Sequence, residues 1–172
     1  KALTPYGACR LCVVEVHAPD KAPVLQAACS YPALDGIGVL TDTDRVRRAR
    51  KITAELLLAR CPDSEVIRRI AAEQGVKEPR IRKKNGDCVY CGLCVRMCEE
   101  RMGRSAVGFS GRGPRKKLES PFGKHNEKCW TCGACDFICP VGKKVSVLTS
   151  RNARIPILNA YNFNLDSRPA VS

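Results

Sequence analysis

Cys88-Val89-Tyr90-Cys91-Gly92-Leu93-Cys94-Val95-Arg96-Met97-Cys98 and Cys129-Trp130-Thr131-Cys132-Gly133-Ala134-Cys135-Asp136-Phe137-Ile138-Cys139 share one spacing, Cys-x2-Cys-x2-Cys-x3-Cys. Each cysteine of the second stretch follows its counterpart by 41 residues, and Gly92 and Gly133 match as well. The chain therefore carries an internal duplication of one thiol-rich unit, which takes up eight of its 12 cysteines. The rest of the 172 residues is short of large rings, with aromatics at 5%. A core so composed leans on Val, Ile, Leu and Ala, or on something that is not a side chain.

The spacing is that of bacterial ferredoxins with two [4Fe–4S] clusters. Three cysteines two residues apart on an inward-wrapping loop reach different irons of one cube, and the fourth, a helical turn further on, points to the other cube. On that reading Cys88, Cys91, Cys94 and Cys139 hold one cluster, and Cys129, Cys132, Cys135 and Cys98 hold the second. Gly92 and Gly133 let the backbone approach closely enough for N–H groups to face cluster sulfurs. The second stretch ends Cys139-Pro140, as the pattern expects, whereas the first ends Cys98-Glu99. Structural zinc is the main alternative, although it usually pairs two Cys-x2-Cys units and needs no third and fourth cysteine in each. Disulfides would need an oxidising compartment. Free buried thiols would have no cause to cluster this way.

The 30 Lys and Arg against 17 Asp and Glu make a formal charge of +13. Two thiolate-ligated clusters at about −2 each would bring this to roughly +9. The basic runs Arg80-Ile81-Arg82-Lys83-Lys84 and Arg115-Lys116-Lys117 have no interleaved aromatics, so they read as solvated faces or as docking surface for an acidic partner, not as nucleic-acid binders. No apolar run approaches a bilayer span, and neither a membrane span nor a signal peptide is expected. Neither a nucleophile–base pair nor a phosphate-cradling glycine loop is present, so no catalytic site is expected on this chain.

Outward from the repeat, Cys12–Val16, Val24–Cys29 and Gly38–Thr41 read as short strands. Thr43 is a helix N-cap, and Val46, Ala49, Ile52, Leu56 and Ala59 form the apolar face of a helix over 44–60, with Arg47, Arg48, Arg50 and Lys51 opposite. After Pro62, Asp63 is expected to cap a helix through Glu73, with Val66, Ile67, Ile70 and Ala71 on its inner face and Gly75 as its stop. Residues 76–87 read as a charged linker ending in the Asn85-Gly86 turn signal. Cys61 is expected to be a packed thiol, His17 and His125 surface residues, and Trp130 either a cluster shield or ordinary packing. Arg10 and Arg96, beside cysteines, are candidates for stabilising a reduced cluster.

The N-terminal stretch Tyr6-Gly7-Ala8-Cys9-Arg10-Leu11-Cys12-Val13-Val14-Glu15-Val16, with Ala27-Ala28-Cys29, resembles the [2Fe–2S] head of the large iron–sulfur subunit of respiratory complex I. The same head occurs in the small diaphorase subunit of NAD-linked hydrogenases and in iron-only hydrogenases. Phe109–Pro114 and the two cysteine stretches also look like the two-cubane segment of those subunits. The resemblance implies that Cys9, Cys12 and Cys29 ligate a [2Fe–2S] cluster whose fourth cysteine lies upstream of Lys1, the chain being a fragment. The interval between head and repeat holds only Cys61 and no His, so the additional His-plus-three-Cys cubane of some relatives is not expected.

The fold expected is α+β. A partial β-grasp-like [2Fe–2S] ferredoxin domain occupies 1–42, a helical pair and linker 43–87, a bacterial 2[4Fe–4S] ferredoxin-like domain 88–148, and an extended tail 149–172. The function expected is that of a cytoplasmic electron-transfer subunit. It would relay single electrons between a flavoprotein NAD(P)H-oxidoreductase subunit and a catalytic redox subunit such as a hydrogenase, a formate dehydrogenase or a heterodisulfide-reductase-like protein. The alternatives are the N-terminal electron-input region of a larger redox enzyme and a zinc-stabilised basic interaction module.

Overall fold

A computed structural model describes residues 3–81, 86–124, 126–143 and 145. His125, Arg82, Lys83, Lys84 and Asn85, and the tail 149–172 lie outside the described residues. The chain divides into two compact units, one ending at Gly92 and the other beginning at Leu93.

The first unit is built on a three-stranded antiparallel sheet. β1 (Val13–His17) lies between β2 (Val24–Ala27) and β3 (Gly38–Leu40), in the order β2-β1-β3. Val13 faces Ala27 and Val16 faces Val24 across one edge, and Glu15 faces Leu40 across the other. The β-branched run suits the central strand, and Val13, Val14 and Val16 are buried.

α1 (Asp44–Arg60) starts where expected, with the Thr43 side chain accepting from the Val46 N–H. Its inner face differs from the expected one. Val46, Ala54, Leu58 and Ala59 are buried, whereas Ile52 and Leu56 are 44% and 50% exposed. The cause is polar. Arg50, expected on the outer face, is half-buried and donates from Nε and Nη2 to the Val13 carbonyl at 3.0 and 2.7 Å. Glu55 is buried and meets Arg80 through a fork of hydrogen bonds, Nε–Oε1 at 2.9 Å and Nη2–Oε2 at 2.7 Å, with the Arg80 backbone N–H adding a third. The helix is therefore rotated to place two long polar side chains against the body, and Ile52 and Leu56 turn outward.

α2 (Glu65–Glu73) begins one residue later than expected: Ser64, not Asp63, is its N-cap and accepts from the Ile67 N–H. Pro62 disfavours helix at Cys61, and the turn closed by the Ser64 N–H on the Cys61 carbonyl delays the start. Ile67 and Ala71 are buried, as expected. The helix closes with the Gly75 N–H on Ala72 O and the Val76 N–H on Ala71 O, and Val76 is buried against it.

The second unit holds α3 (Leu93–Arg96), continued by a wider π-type turn over Met97–Arg101, a hairpin of β4 (Gly108–Ser110) and β5 (Lys117–Glu119), and α4 (Ala134–Phe137). The tip of the hairpin requires Gly111. Its φ is +70°, and a Cβ there would stand 2.4 Å from the Arg115 carbonyl oxygen. Leu118, Val107, Ala106 and Val145 supply the buried apolar side chains of this unit.

Candidate metal centres

The duplication seen in the sequence is repeated in the backbone. Tyr90 and Thr131 both take a left-handed conformation, with φ +54° and +53°, and Gly92 and Gly133 follow at +75° and +73°. This alternation curls each Cys-x2-Cys-x2-Cys loop so that backbone N–H groups turn toward sulfur. The Tyr90 N–H reaches Cys88 Sγ at 3.4 Å, and the Thr131 N–H reaches Cys129 Sγ at 3.5 Å. The fourth cysteines have donors too, Ala106 N–H to Cys98 Sγ at 3.3 Å and Lys143 N–H to Cys139 Sγ at 3.2 Å. Such bonds position a sulfur ligand.

Within the second unit, Cys98, Cys129, Cys132 and Cys135 line one cavity. Cys98 arrives on the π-type turn, and Cys135 on α4, whose first residue follows Gly133. Ala106 and Val107 form apolar wall, and Arg104 and Trp130 complete it. Burial pushes the Cys135 thiol up to about 12, and the Asp136 carboxylate and the neighbouring Cys132 and Cys94 thiols push the same way. Among the described residues, no three His, Cys, Asp or Glu side chains converge as ligands of one metal ion. Donors spread round the wall of a volume, with N–H groups aimed at two of their sulfurs, fit a polynuclear group bound by four thiolates.

Cys94 and Cys139 also belong to the second unit, whereas Cys88 and Cys91 close the first. The Cys88 loop is anchored in the first unit by Arg60 at the end of α1, which donates to the Cys88 carbonyl at 3.1 Å, hydrogen-bonds the Tyr90 hydroxyl and lies 4.5 Å from the Tyr90 ring centroid. The Gly86 N–H in turn donates to the Arg60 carbonyl.

At the N-terminal site Cys9, Cys12 and Cys29 are brought together. The Cys29 thiol is raised, first by desolvation and then by the Cys12 thiol, with Cys9 adding to it and the Gly7 N–H opposing. Arg10, between the first two cysteines, is left-handed at φ +57°. Cys61 is buried at the end of α1, and burial pushes its thiol up to about 11. All twelve cysteines are free of disulfides.

Arg60 and Arg104 carry no sequence signal that separates them from the other arginines. Both act through partners 26 to 30 residues away, Tyr90 and Trp130. Arg80, read as part of a solvated basic run, is exposed and also pairs with buried Glu55.

The chain is 30% identical over 173 residues to a component of the NADH-quinone oxidoreductase of Rhizobium meliloti (strain 1021), covering 85% of this chain and 20% of that protein. It is 30% identical over 172 residues to NADH dehydrogenase [ubiquinone] iron-sulfur protein 1, mitochondrial, of Solanum tuberosum, covering 84% of this chain and 22% of that protein. A chain in the crystal structure of an NAD+-reducing [NiFe]-hydrogenase in the H2-reduced state matches with a TM-score of 0.61 and 26% identity, over 81% of this chain and 69% of that chain. This chain is a homologue of those redox-complex subunits. The likeness to complex I and hydrogenase subunits expected from Cys9–Val16 and the repeat is thereby found, and so is a mixed helix-and-strand fold with small sheets. No family model matches the chain. The chain spans about a fifth of the length of these two curated relatives. Among the described residues, no helix is long and apolar enough to cross a membrane.

Proposed function

We propose that this chain is an iron–sulfur electron relay of an NAD(P)H-linked oxidoreductase complex. Two [4Fe–4S] clusters would be held by Cys98, Cys129, Cys132 and Cys135 and by Cys88, Cys91, Cys94 and Cys139. Cys9, Cys12 and Cys29 would supply three ligands of a [2Fe–2S] cluster, in a ferredoxin-like arrangement ahead of the paired cubanes. The observation that carries the reading is a cavity lined by Cys98 and by three cysteines of the other stretch. That is the crossed partnership a two-cubane repeat requires. When bound, such groups accept and release single electrons. The chain's own part is to hold them by thiolates, to direct the Tyr90, Thr131, Ala106 and Lys143 N–H groups at the sulfurs, and to exclude water with Ala106 and Val107.

The partners proposed are a flavoprotein NAD(P)H-oxidoreductase subunit on one side and a catalytic redox subunit on the other. The relatives' names supply that pairing, since they belong to an NADH-quinone oxidoreductase, an NADH dehydrogenase and an NAD+-reducing hydrogenase. A second reading of the same chemistry is an electron-input region of a larger redox enzyme.

Anaerobic purification of the full chain, followed by iron and acid-labile sulfide analysis and EPR of the dithionite-reduced protein, tests the proposal. The two cubanes account for about eight irons and matching sulfide. Cys98→Ala is expected to abolish one [4Fe–4S] signal and leave the other present but weakened. Zinc without sulfide, or two unaffected signals in Cys98→Ala, would reject it.

A further inference from the structure

Arg104 stands out once the cavity is defined. Its guanidinium carbon lies 3.1 Å from the centroid of the Trp130 ring, and both residues line the wall formed with Cys98, Cys129, Cys132 and Cys135. Its backbone N–H donates to the Cys98 carbonyl at 2.9 Å, so the main chain that carries it is tied to a cysteine of the site. Its Nε is buried and meets no hydrogen-bond acceptor among the described residues. No ion pair to Arg104 is found among the described residues either, in contrast to Arg45, Arg47 and Arg80, which face carboxylates. A buried N–H without an acceptor is costly, and the half-buried guanidinium beside the cavity wall has no counter-anion among the described residues. Both deficits end if the cavity holds a group that is anionic and rich in sulfur acceptors.

We propose that Arg104, braced on the face of Trp130, sets the reduction potential of the group held by Cys98, Cys129, Cys132 and Cys135. This rests on reading that cavity as a cluster site. One electron from a reduced flavoprotein adds one unit of negative charge to the cavity, with no bond made or broken and no proton transferred. Arg104 stabilises that added charge more than it stabilises the oxidised state, so it raises the potential of this site. The Trp130 ring fixes where the cation stands through a cation–π contact, sparing the guanidinium a carboxylate partner that would cancel its field.

The test uses the full chain, purified anaerobically, as wild type, Arg104→Gln and Arg104→Lys. Iron and sulfide are counted, and each EPR signal is followed through a redox titration with dithionite. The signal lost in Cys132→Ala identifies the site. In Arg104→Gln, the ratio of reduced to oxidised site at the wild-type midpoint is expected to fall about tenfold, a lowering of about 59 mV for one electron. Arg104→Lys keeps the charge without the planar stack and is expected to fall between Arg104→Gln and wild type, while the other signal stays within about twofold of wild type in both variants. Trp130 is the sole tryptophan, so its fluorescence reports directly whether the wall keeps its shape. Should Arg104→Gln fail to load, Trp130→Leu takes its place. It keeps the cation, removes its platform and is expected to lower the same ratio about threefold. An unmoved midpoint in a fully loaded Arg104→Gln or Trp130→Leu protein overturns the role of Arg104, and so does an equal fall in Arg104→Lys. A wild-type chain that binds neither iron nor sulfide overturns the cluster reading itself.

Discussion

Replacing Arg50 with Met is expected to loosen β1 from α1. In the native chain two N–H groups of Arg50 converge on the Val13 carbonyl at 3.0 and 2.7 Å. Val13 lies beyond the β1–β3 register, which ends at Glu15, and is 7% exposed. Because the two donors share one acceptor, they count as one hydrogen bond to a charged group, a contribution of about 1.5–3 kcal/mol. Met preserves most of the aliphatic stem, so lost packing adds little. A midpoint of about 2 kcal/mol corresponds to roughly thirtyfold faster local opening, since about 1.4 kcal/mol is a factor of ten. Native-state hydrogen exchange in the intact chain reads this directly. The amides of β1 are expected to exchange roughly thirtyfold faster in Arg50→Met, and Arg50→Lys, which keeps one donor, is expected to fall between. Exchange within about threefold of wild type across β1 would show that the carbonyl finds water at no cost and that the latch contributes nothing. Val13 follows Cys12 directly, so the same variant is expected to hold a looser N-terminal cysteine site.

Glu55 is held at about 2 by the Arg80 side chain and backbone N–H, against an ordinary carboxylate value of 4.5. Its stabilising contribution is therefore full above pH 4.5 and is lost as pH falls from there toward 2, so thermal melts of wild type are expected to drop across that window more steeply than those of Glu55→Gln. A Glu55→Gln melt with the same acid dependence would refute the assignment. Gly133→Ala places a Cβ at φ +73° and is expected to cost about 1–2 kcal/mol and to reduce sulfide loading. A variant that melts and loads like wild type would show that the loop tolerates the strain, as Thr131 already does at +53°.

The relation between charge and function changes once the fold is known. The excess of +13 suggested broad basic faces, but several of those cations have assigned partners. Arg45 faces buried Glu15, Arg80 faces buried Glu55, Arg50 holds a strand carbonyl and Arg60 holds the Cys88 loop. Glu15 is lowered first by the Thr43 hydroxyl, the same group that caps α1, and then by Arg45. A basic balance is thus partly internal wiring, with long side chains reaching from α1 onto the sheet and onto the cysteine loop.

What the sequence alone determined is what short-range chemistry sets. Cysteine spacing decides which sulfurs share a loop, and the 41-residue offset declares the duplication. β-branched alternation marks Val13–His17, Thr43 marks the start of α1, and Gly75 marks the end of α2. Each depends on residues within a turn or two of one another. What only the tertiary structure decided depends on partners far apart in the chain. Periodicity assigned Ile52 and Leu56 to the core because it weighs apolarity and cannot weigh a carbonyl waiting at Val13 or a guanidinium arriving from Arg80. Those two polar demands turned the helix instead. The same holds for Arg104, whose sequence neighbours do not distinguish it from other arginines on the chain. Its meaning comes from Trp130, 26 residues on, and from the four sulfur atoms that the fold gathers beside them.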